Sequence, residues 1–212
     1  ILMNVNNGEI ISMVSYPDFD LNKREKIVDL NFINRATKGV YELGSVFKTF
    51  TVAAGLEEEL IDTDTEFLNL EKRLQCGKSS IAEYDNKIPS DLTVEQILIR
   101  SGNIGSVRIG QKLKIIKLKA FLEKIGILEK IKFDIEEVGE PIPFKWGKCK
   151  LATVSFGHGI TTTPLQLAKA YAIISNGGFA VEPSLIKNEL KNYQKKKRII
   201  KAGISEKINL IL

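Results

Sequence analysis

The sequence predicts an α+β fold, in which a lobe of helices packs against an antiparallel sheet. Two observations lead to this prediction: a β-prone segment begins the chain, and several apolar patterns with helical spacing and capping residues follow it. Hydrophobic residues make up 43% and charged residues 27% of the 212 residues, proportions that are typical of globular proteins. A chain of this length and composition can bury a substantial core.

The first 16 residues are predicted to form a hairpin, because two β-prone runs flank Asn6, Asn7 and Gly8. These residue types tolerate the positive φ of a tight turn. The chain then becomes polar and irregular from Asp18 to Tyr41, which indicates a connecting loop.

Two helices are predicted in the next part of the chain. The first extends from about Ser45 to Leu60 and has an apolar face. Residues 61–90 carry mixed charge without a sustained period, which is typical of a surface excursion. The second helix is predicted within Asp91 to Arg100. Thr93 opens it, and Gln96 follows three residues later, the spacing of a capping box.

Helical spacing resumes after a break at Ser101-Gly102-Asn103. It predicts one helix from Ile104 to about Leu113 and another from Ile116 to Ile125, with Gly126 as the C-terminal cap.

The segment TTTPLQLAKAYAIISNGG carries the clearest local signal in the chain. Thr163 is suited to the N-cap, Pro164 to the first helical position, and Gln166 completes a capping box. Asn176-Gly177-Gly178 then ends the helix. The pattern therefore predicts a helix with both ends defined by the sequence.

The C-terminal part is predicted to contain a strand near Phe179 to Ile186 and a last helix capped by Ser205. Between them lies the densest basic run, Lys191 to Lys201, which we interpret as a solvated loop. The net charge is +5, but basic and acidic residues are both spread along the chain. We therefore predict no nucleic-acid partner.

Cys76 and Cys149 are far apart and belong to no CxxC or Cys/His cluster. This spacing indicates neither a zinc site nor a disulfide framework. Two unpaired thiols are predicted.

Ser45 and Lys48 lie three residues apart where the first helix begins. Side chains at this spacing share one helix face, so the hydroxyl and the amine can approach each other. A lysine whose pKa is lowered by burial can act as the base that activates a serine. Gly44 allows a tight entry to the helix and leaves space above the hydroxyl. Alone, the pair is more typical of a capping serine and a solvated lysine, because this spacing occurs by chance in many proteins.

A second hydroxyl and a carboxamide occur about fifty residues later, at Ser101 and Asn103. These groups could complete a proton relay and bind a substrate amide. An ordinary turn between helices would look the same. The two motifs in this order are more specific than either one alone.

Together these segments resemble the transpeptidase domain of penicillin-binding proteins, particularly the monofunctional class B enzymes of cell division or elongation. The resemblance includes YELGSVFK, RSGNIG, NNGEIISMVSYPDFD, NRA and SFGHGITTTPLQLAKAYAIISNGG, and covers nearly the whole chain. It implies a β-lactamase/transpeptidase-like fold. Residues 1–212 would be a partial domain, with a hairpin at 1–16 and a helical lobe at about 45–175.

The resemblance implies a D,D-transpeptidase that cross-links peptidoglycan stem peptides ending in D-Ala-D-Ala. Ser45 is the implied nucleophile and Lys48 is its general base. Ser101 would relay the proton toward the leaving D-alanine, and Asn103 would position the substrate backbone. The backbone N–H of Ser45 would be one donor of the oxyanion hole.

Further expectations follow from the same resemblance. Gly44 and Gly102 are the implied substrate-binding glycines, and β-lactam antibiotics are the implied covalent inhibitors. Divisome or elongasome membrane proteins are the implied partners, and no cofactor or metal is expected.

The family's third element, a KTG strand, does not occur before Leu212. Lys201-Ala202-Gly203 lacks the hydroxyl residue and precedes a predicted helix, so we interpret it as unrelated. In similar proteins the KTG strand follows such a helix. We therefore expect that the chain ends before it, that the C-terminal part of the sheet is missing, and that residues 1–212 alone turn over poorly or not at all.

Two alternative functions remain open. One is a serine β-lactamase, which would hydrolyse its acylated Ser45 rapidly, although no carboxylate matches the deacylating glutamate of class A enzymes. The other is a non-catalytic β-lactam sensor or division-scaffold module. His158, the only histidine, is predicted to be a loop residue near the rim of the cleft and not a base.

Localisation is implied by the resemblance alone. Peptidoglycan lies outside the cytoplasmic membrane, which places the domain on the extracytoplasmic (periplasmic) face of the bacterial inner membrane. The chain has no run of 18 or more apolar residues and no signal-peptide pattern at its start. An anchoring segment is therefore expected to precede Ile1.

Overall fold

Helices form most of the regular structure in the computed structural model, which describes residues 1–18, 20, 22, 32–187 and 197–212. A short 3₁₀ helix, Gly44–Phe47, leads directly into the first α-helix. Six α-helices are present in the described residues: α1 Lys48–Glu57, α2 Val94–Ile99, α3 Asn103–Lys124, α4 Lys148–Val154, α5 Pro164–Ser175 and α6 Ala202–Ile211.

The strands are short and pair two by two in antiparallel fashion. In the described residues the four pairs are β1 Leu2–Met3 with β2 Ile10–Ser12, β3 Tyr41–Glu42 with β8 Thr161–Thr162, β4 Glu66–Phe67 with β7 Leu92–Thr93, and β5 Arg73–Cys76 with β6 Ser79–Ala82. Helices and small antiparallel sheets together agree with the predicted α+β class.

Helix α1 occupies the centre of the core and packs against α3 and α6. Its residues from Lys48 to Leu56 are all buried, and apart from Lys48 their side chains are apolar or small on every face. The buried hydroxyls find partners: Thr51 Oγ1 donates to the carbonyl oxygen of Ser155 at 2.9 Å. Such pairing removes most of the cost of burying a polar group. The turn that carries Ser45 thus leads directly into a helix that is buried along most of its length.

Both predicted capping boxes are present. Thr93 opens α2 and Thr163 opens α5, and each side chain accepts a hydrogen bond from the backbone N–H three residues later, at Gln96 and Gln166. The two predicted helical segments after Asn103 follow each other in α3, which is kinked at Lys114, where φ 61° and ψ 169° are not helical. The sequence pattern had placed the interruption at the same point.

The predicted first helix continues less far than expected, because α1 ends at Glu57 and Glu59 adopts a left-handed φ of 54°. The predicted strand from Phe179 to Ile186 is also wrong. Its residues form two isolated bridges, one between Phe179 and Arg198 and one between Ser184 and Glu9.

Ser205 is not the cap of the last helix, as the sequence had suggested. Lys201 holds the N-cap position of α6. Ser205 lies inside the helix, where its hydroxyl contacts the carbonyl oxygen of Ile174 and accepts from the N–H of Gly177 at 3.0 Å. The hydroxyl therefore joins α6 to the end of α5, and the Lys201-Ala202-Gly203 segment begins a helix.

The prediction of two unpaired thiols is wrong. Cys76 at the end of β5 and Cys149 in the first turn of α4 form a disulfide, with Cα atoms 5.4 Å apart. The hairpin β5–β6 lies within residues 61–90, which were predicted as an irregular surface excursion. The two cysteines are 73 residues apart in the sequence, so no local pattern indicated the bond, and only the fold brings the two elements together.

The N-terminal hairpin is present as β1 and β2, with Leu2 opposite Ser12. The connecting loop predicted from Asp18 to Tyr41 falls partly outside the described residues, at 19, 21 and 23–31. The same holds for the solvated basic run, of which residues 191–196 lie outside. Each helix in the described part of the chain is too short or too polar to cross a lipid bilayer.

Candidate active site

The turn before α1 presents Ser45 to solvent. Gly44 has a left-handed φ of 58°, and a Cβ built on it would meet no atom within 4 Å. Its N–H donates to the carbonyl oxygen of Gly157 at 3.0 Å, which fixes the turn against the loop after α4. The entry to the helix is therefore tight, with open space beside Gly44 and an exposed Ser45.

Gly157 is the other side of this contact. Its φ is +86°, and a Cβ at this position would lie 1.9 Å from the carbonyl oxygen of Gly44. The two backbones approach so closely that no side chain fits between them. The position of Ser45 thus depends on a glycine more than a hundred residues away.

Lys48 is the first residue of α1 and its side chain is 0% exposed. Its Nζ donates to Ser45 Oγ at 3.2 Å and to Ser101 Oγ at 2.8 Å, and also to the carbonyl oxygen of Ser101. These three acceptors match the three donors of an ammonium group. The structure therefore brings together the two serines and the lysine that the sequence had singled out.

Burial lowers the pKa of Lys48 from its ordinary value of 10.5 to about 8. Removal from water disfavours the charged ammonium, and the nearby carboxylate of Glu83 opposes the effect by favouring it. A lysine with this pKa is neutral in an appreciable fraction of molecules near physiological pH. It can accept a proton from a hydroxyl at 3.2 Å.

Ser101 lies at the junction of α2 and α3 with a left-handed φ of 53°, unusual for a residue other than glycine. The hydroxyl and carbonyl of the same residue both face Lys48. Gly102 is buried: its N–H donates to the carbonyl oxygen of Ile97, and its own carbonyl accepts from Ser106. Its predicted contact with substrate stays a prediction.

Asn103 begins α3, two residues after Ser101. Its carboxamide Nδ2 donates to the carbonyl oxygen of Ala82 at 2.8 Å, at the end of β6. Its backbone N–H donates to Glu83 Oε2 at 2.6 Å, and the N–H of Ile104 donates to Glu83 Oε1 at 2.9 Å. Sequence reasoning missed Glu83, because nothing in residues 61–90 indicated that this segment reaches the site.

Sequence reasoning also missed Tyr171, which supports the turn that carries Ser45. Tyr171 on α5 donates from its hydroxyl to the carbonyl oxygen of Val46 at 2.7 Å and lies 3.0 Å from Thr49 Oγ1. Burial raises the pKa of Tyr171, so this hydroxyl keeps its proton as a donor. The ring also packs edge-on against Phe50 with centroids 5.0 Å apart. The turn that carries Ser45 is thus held from α5 as well.

His158 lies in the loop after α4, exposed, with Nδ1 at 3.0 Å from Glu42 Oε2. It lines an open groove of about 570 Å³ that also includes Asn103, Lys150 and Phe156. His158 is thus a loop residue, as predicted, and its place at the rim of a substrate cleft stays a prediction. Within the residues that the structure describes, no cluster of three or more His, Cys, Asp or Glu side chains is arranged to hold a metal ion.

Comparisons with known proteins identify the family to which the chain is similar. A family model described as "Penicillin binding protein transpeptidase domain" matches residues 1–212. The chain is 34% identical over 179 residues to "Probable peptidoglycan D,D-transpeptidase FtsI" of Caulobacter vibrioides, covering 84% of this chain and 30% of that protein. It is 30% identical to "Stage V sporulation protein D" of Bacillus subtilis, covering 92% of this chain and 31% of that protein.

Among solved structures, the fold is similar to a transpeptidase domain of penicillin-binding protein 3 from Burkholderia pseudomallei. The TM-score is 0.84 at 23% sequence identity, and the match covers 99% of this chain and 59% of that one. This likeness establishes the fold alone. The chain spans about a third of the length of the two curated relatives named above.

Proposed function

The chain belongs to the family of penicillin-binding protein transpeptidase domains, and we propose that it carries a serine-type D,D-transpeptidase site for peptidoglycan cross-linking. The donor substrate is a stem peptide that ends in D-Ala-D-Ala, and the acceptor is an amine of a second stem peptide. The observation that carries the proposal is the position of Lys48 Nζ, buried between Ser45 Oγ and Ser101 Oγ.

In the first step, Ser45 Oγ attacks the carbonyl carbon of the penultimate D-alanine. Neutral Lys48 takes the hydroxyl proton as the new C–O bond forms. Ser45 lies in the first turn of the 3₁₀ helix Gly44–Phe47, where backbone N–H groups have no intrahelical acceptor. Its N–H can therefore donate to the oxyanion. The tetrahedral intermediate has one negative charge on that oxygen.

The intermediate collapses when its C–N bond breaks. The proton held by Lys48 passes through the Ser101 hydroxyl to the departing amine, so that D-alanine leaves neutral at nitrogen and an ester remains on Ser45. Asn103 stands beside this path, and its carboxamide can bind the peptide backbone of the donor. The reverse sequence transfers the acyl group: the acceptor amine attacks the ester, a peptide bond forms, and Ser45 regains its proton.

A β-lactam enters the same first step, because its strained amide occupies the place of the D-Ala-D-Ala bond. Opening of the ring breaks the C–N bond but releases no fragment, so the acyl-enzyme keeps the whole inhibitor. This predicts a mass increase equal to one intact β-lactam molecule on Ser45.

We further propose that the domain works on the extracytoplasmic side of the membrane, with divisome or elongasome proteins as partners. The Cys76–Cys149 disulfide supports this location, because structural disulfides persist in oxidising compartments. Gly44 belongs to the proposed site as the residue that keeps the approach to Ser45 open.

Intact-mass spectrometry after exposure to benzylpenicillin tests the proposal. We expect one adduct on the protein that carries this chain and none on its Ser45→Ala variant. Ser12→Ala, an exposed serine on β2, is the matched control and keeps the adduct. If Ser45→Ala is labelled as fully as the natural protein, or if neither is labelled, Ser45 is not the nucleophile. An adduct that disappears within seconds would indicate a β-lactamase.

A further inference from the structure

We propose that Glu83 is a positioning residue of this site: its carboxylate holds the start of α3, and with it Ser101 and Asn103, in place against Lys48. The inference rests on the proposed acyl-transfer function and deepens it. It starts from an unusual feature of α3, whose N-cap is a glycine without a side chain to accept hydrogen bonds.

The first N–H groups of a helix need acceptors, and an N-cap side chain normally supplies one. At α3 the acceptor comes from another element. Glu83 Oε2 accepts from the N–H of Asn103 and Oε1 from the N–H of Ile104, at 2.6 and 2.9 Å. A carboxylate in this position also complements the positive end of the helix dipole. Both oxygens of Glu83 are thus engaged by the helix that carries Asn103.

The neighbours of Glu83 also form hydrogen bonds with the junction between α2 and α3. Ala82 accepts from the carboxamide of Asn103 through its carbonyl oxygen, and the Tyr84 hydroxyl donates to the carbonyl oxygen of Arg100 at 3.3 Å. Three consecutive residues at the end of the β5–β6 hairpin therefore contact the residues on both sides of Ser101. We call residues 82–84 the clamp.

The clamp stabilises an unfavourable backbone conformation at this junction. Ser101 adopts a left-handed backbone conformation that costs energy for a residue with a side chain. Such a conformation persists only when its surroundings enforce it. With the N-cap side chain absent and the Ser101 hydroxyl turned to Lys48, the carboxylate of Glu83 supplies that enforcement from outside.

Glu83 also acts on the base itself. Lys48 is surrounded by the hydroxyls of Ser45 and Ser101 and the carbonyl oxygen of Ser101, and the charged group whose field acts on it is Glu83. Burial lowers the pKa of Lys48, and Glu83 limits that fall. A change at Glu83 is therefore expected to alter the pH at which Lys48 becomes a base.

The test compares Glu83→Gln, Glu83→Asp and Glu95→Gln in the protein that carries this chain. Glu95 is an exposed carboxylate in the first turn of α2, so it is a matched control for a helix-start charge that does not contact the site. Acylation by benzylpenicillin is followed over time by intact mass between pH 6 and pH 10. Thermal unfolding of each variant is measured in parallel.

Glu83→Gln can accept only one of the two N–H groups and has lost its charge. We expect its acylation to be about tenfold slower, the effect of losing a charge-assisted hydrogen bond, with the midpoint of the pH profile at lower pH. Glu83→Asp keeps the charge but shortens the reach, so its rate falls while its midpoint stays closer to that of the natural protein. Glu95→Gln changes neither the rate nor the midpoint.

A second readout is independent of acylation: the ¹³Cε chemical shift of Lys48, titrated by NMR and assigned with Lys48→Arg. We expect its midpoint to fall in Glu83→Gln. If the wild-type protein takes up no penicillin, the proposed function fails, yet the titration still decides the role of Glu83. An unchanged Lys48 midpoint in a folded Glu83→Gln variant would overturn the proposal, as would a rate loss explained entirely by lower thermal stability.

Discussion

The Cys76–Cys149 disulfide offers the sharpest test of how this fold is stabilised. The bond ties the tip of the β5–β6 hairpin to the start of α4. Replacing both residues by serine removes the bond without leaving a reactive thiol. We expect the double variant to fold but to be less stable, because its unfolded chain regains the freedom that the closed loop had lost.

The size of the effect follows from the length of that loop. The two cysteines are 73 residues apart, and the chain-entropy relation for a loop of this size gives about 4 kcal/mol at room temperature. This is a large part of the free energy of unfolding of an ordinary domain, typically about 5 to 15 kcal/mol. With a urea dependence of about 2 kcal/mol per molar, the unfolding midpoint should fall by about 2 M.

Urea unfolding followed by circular dichroism measures this shift. The natural protein with dithiothreitol should match the double serine variant, and the reductant should have no effect on that variant. A fall below about 1 kcal/mol, well under the loop estimate, would refute the reasoning, because the hairpin and α4 would then be held together without the covalent bond. A matching loss in the reduced natural protein excludes an effect of the serine side chains.

Three further predictions concern single positions. Acylation of Ser45 should speed up as pH rises through about 8, because the lowered pKa of Lys48 leaves more of it neutral; stopped-flow acylation from pH 6 to 10 measures this, and a flat profile would contradict it. Gly157→Ala should destabilise the protein by about 2 kcal/mol or more, since its Cβ would overlap the Gly44 carbonyl at a positive φ; calorimetry with an unchanged melting temperature would argue otherwise. Thr163→Ala should lower the free energy of unfolding by about 1 kcal/mol, because the buried cap of α5 is lost. Chemical unfolding should show a larger loss for this variant than for Thr93→Ala.

Local sequence patterns predicted most of the helices, although not α4, because caps and helical spacing act within a few residues. Thr93 and Thr163 each begin a helix with the expected box, and the N-terminal hairpin forms where turn residues indicated it. The Ser45–Lys48 contact also follows from helical spacing. These features depend on neighbours in the chain, which a sequence displays directly.

The rest depends on contacts between distant segments. Cys76 meets Cys149 and Glu83 meets Asn103 only because the hairpin folds back over α3 and α4. Nothing in the spacing of these residues indicates that meeting. The prediction of Ser205 as a helix cap was wrong for a related reason, because its hydroxyl forms hydrogen bonds at the end of α5 and not within its own helix. A local rule predicted a cap where the tertiary structure supplied a different partner.

The left-handed conformation of Ser101 sets protein stability against chemistry at one residue. Replacement of Ser101 by glycine would release backbone strain of about 1 kcal/mol but delete the hydroxyl that Lys48 contacts. The hydrogen bond that Ser101 accepts from buried Lys48 opposes this gain by about 1 to 3 kcal/mol, so selection for heat resistance alone acts only weakly on position 101, and any glycine that it accepts there removes the hydroxyl together with the strain. Thermostabilised variants of this domain should for that reason be screened for penicillin labelling in every round.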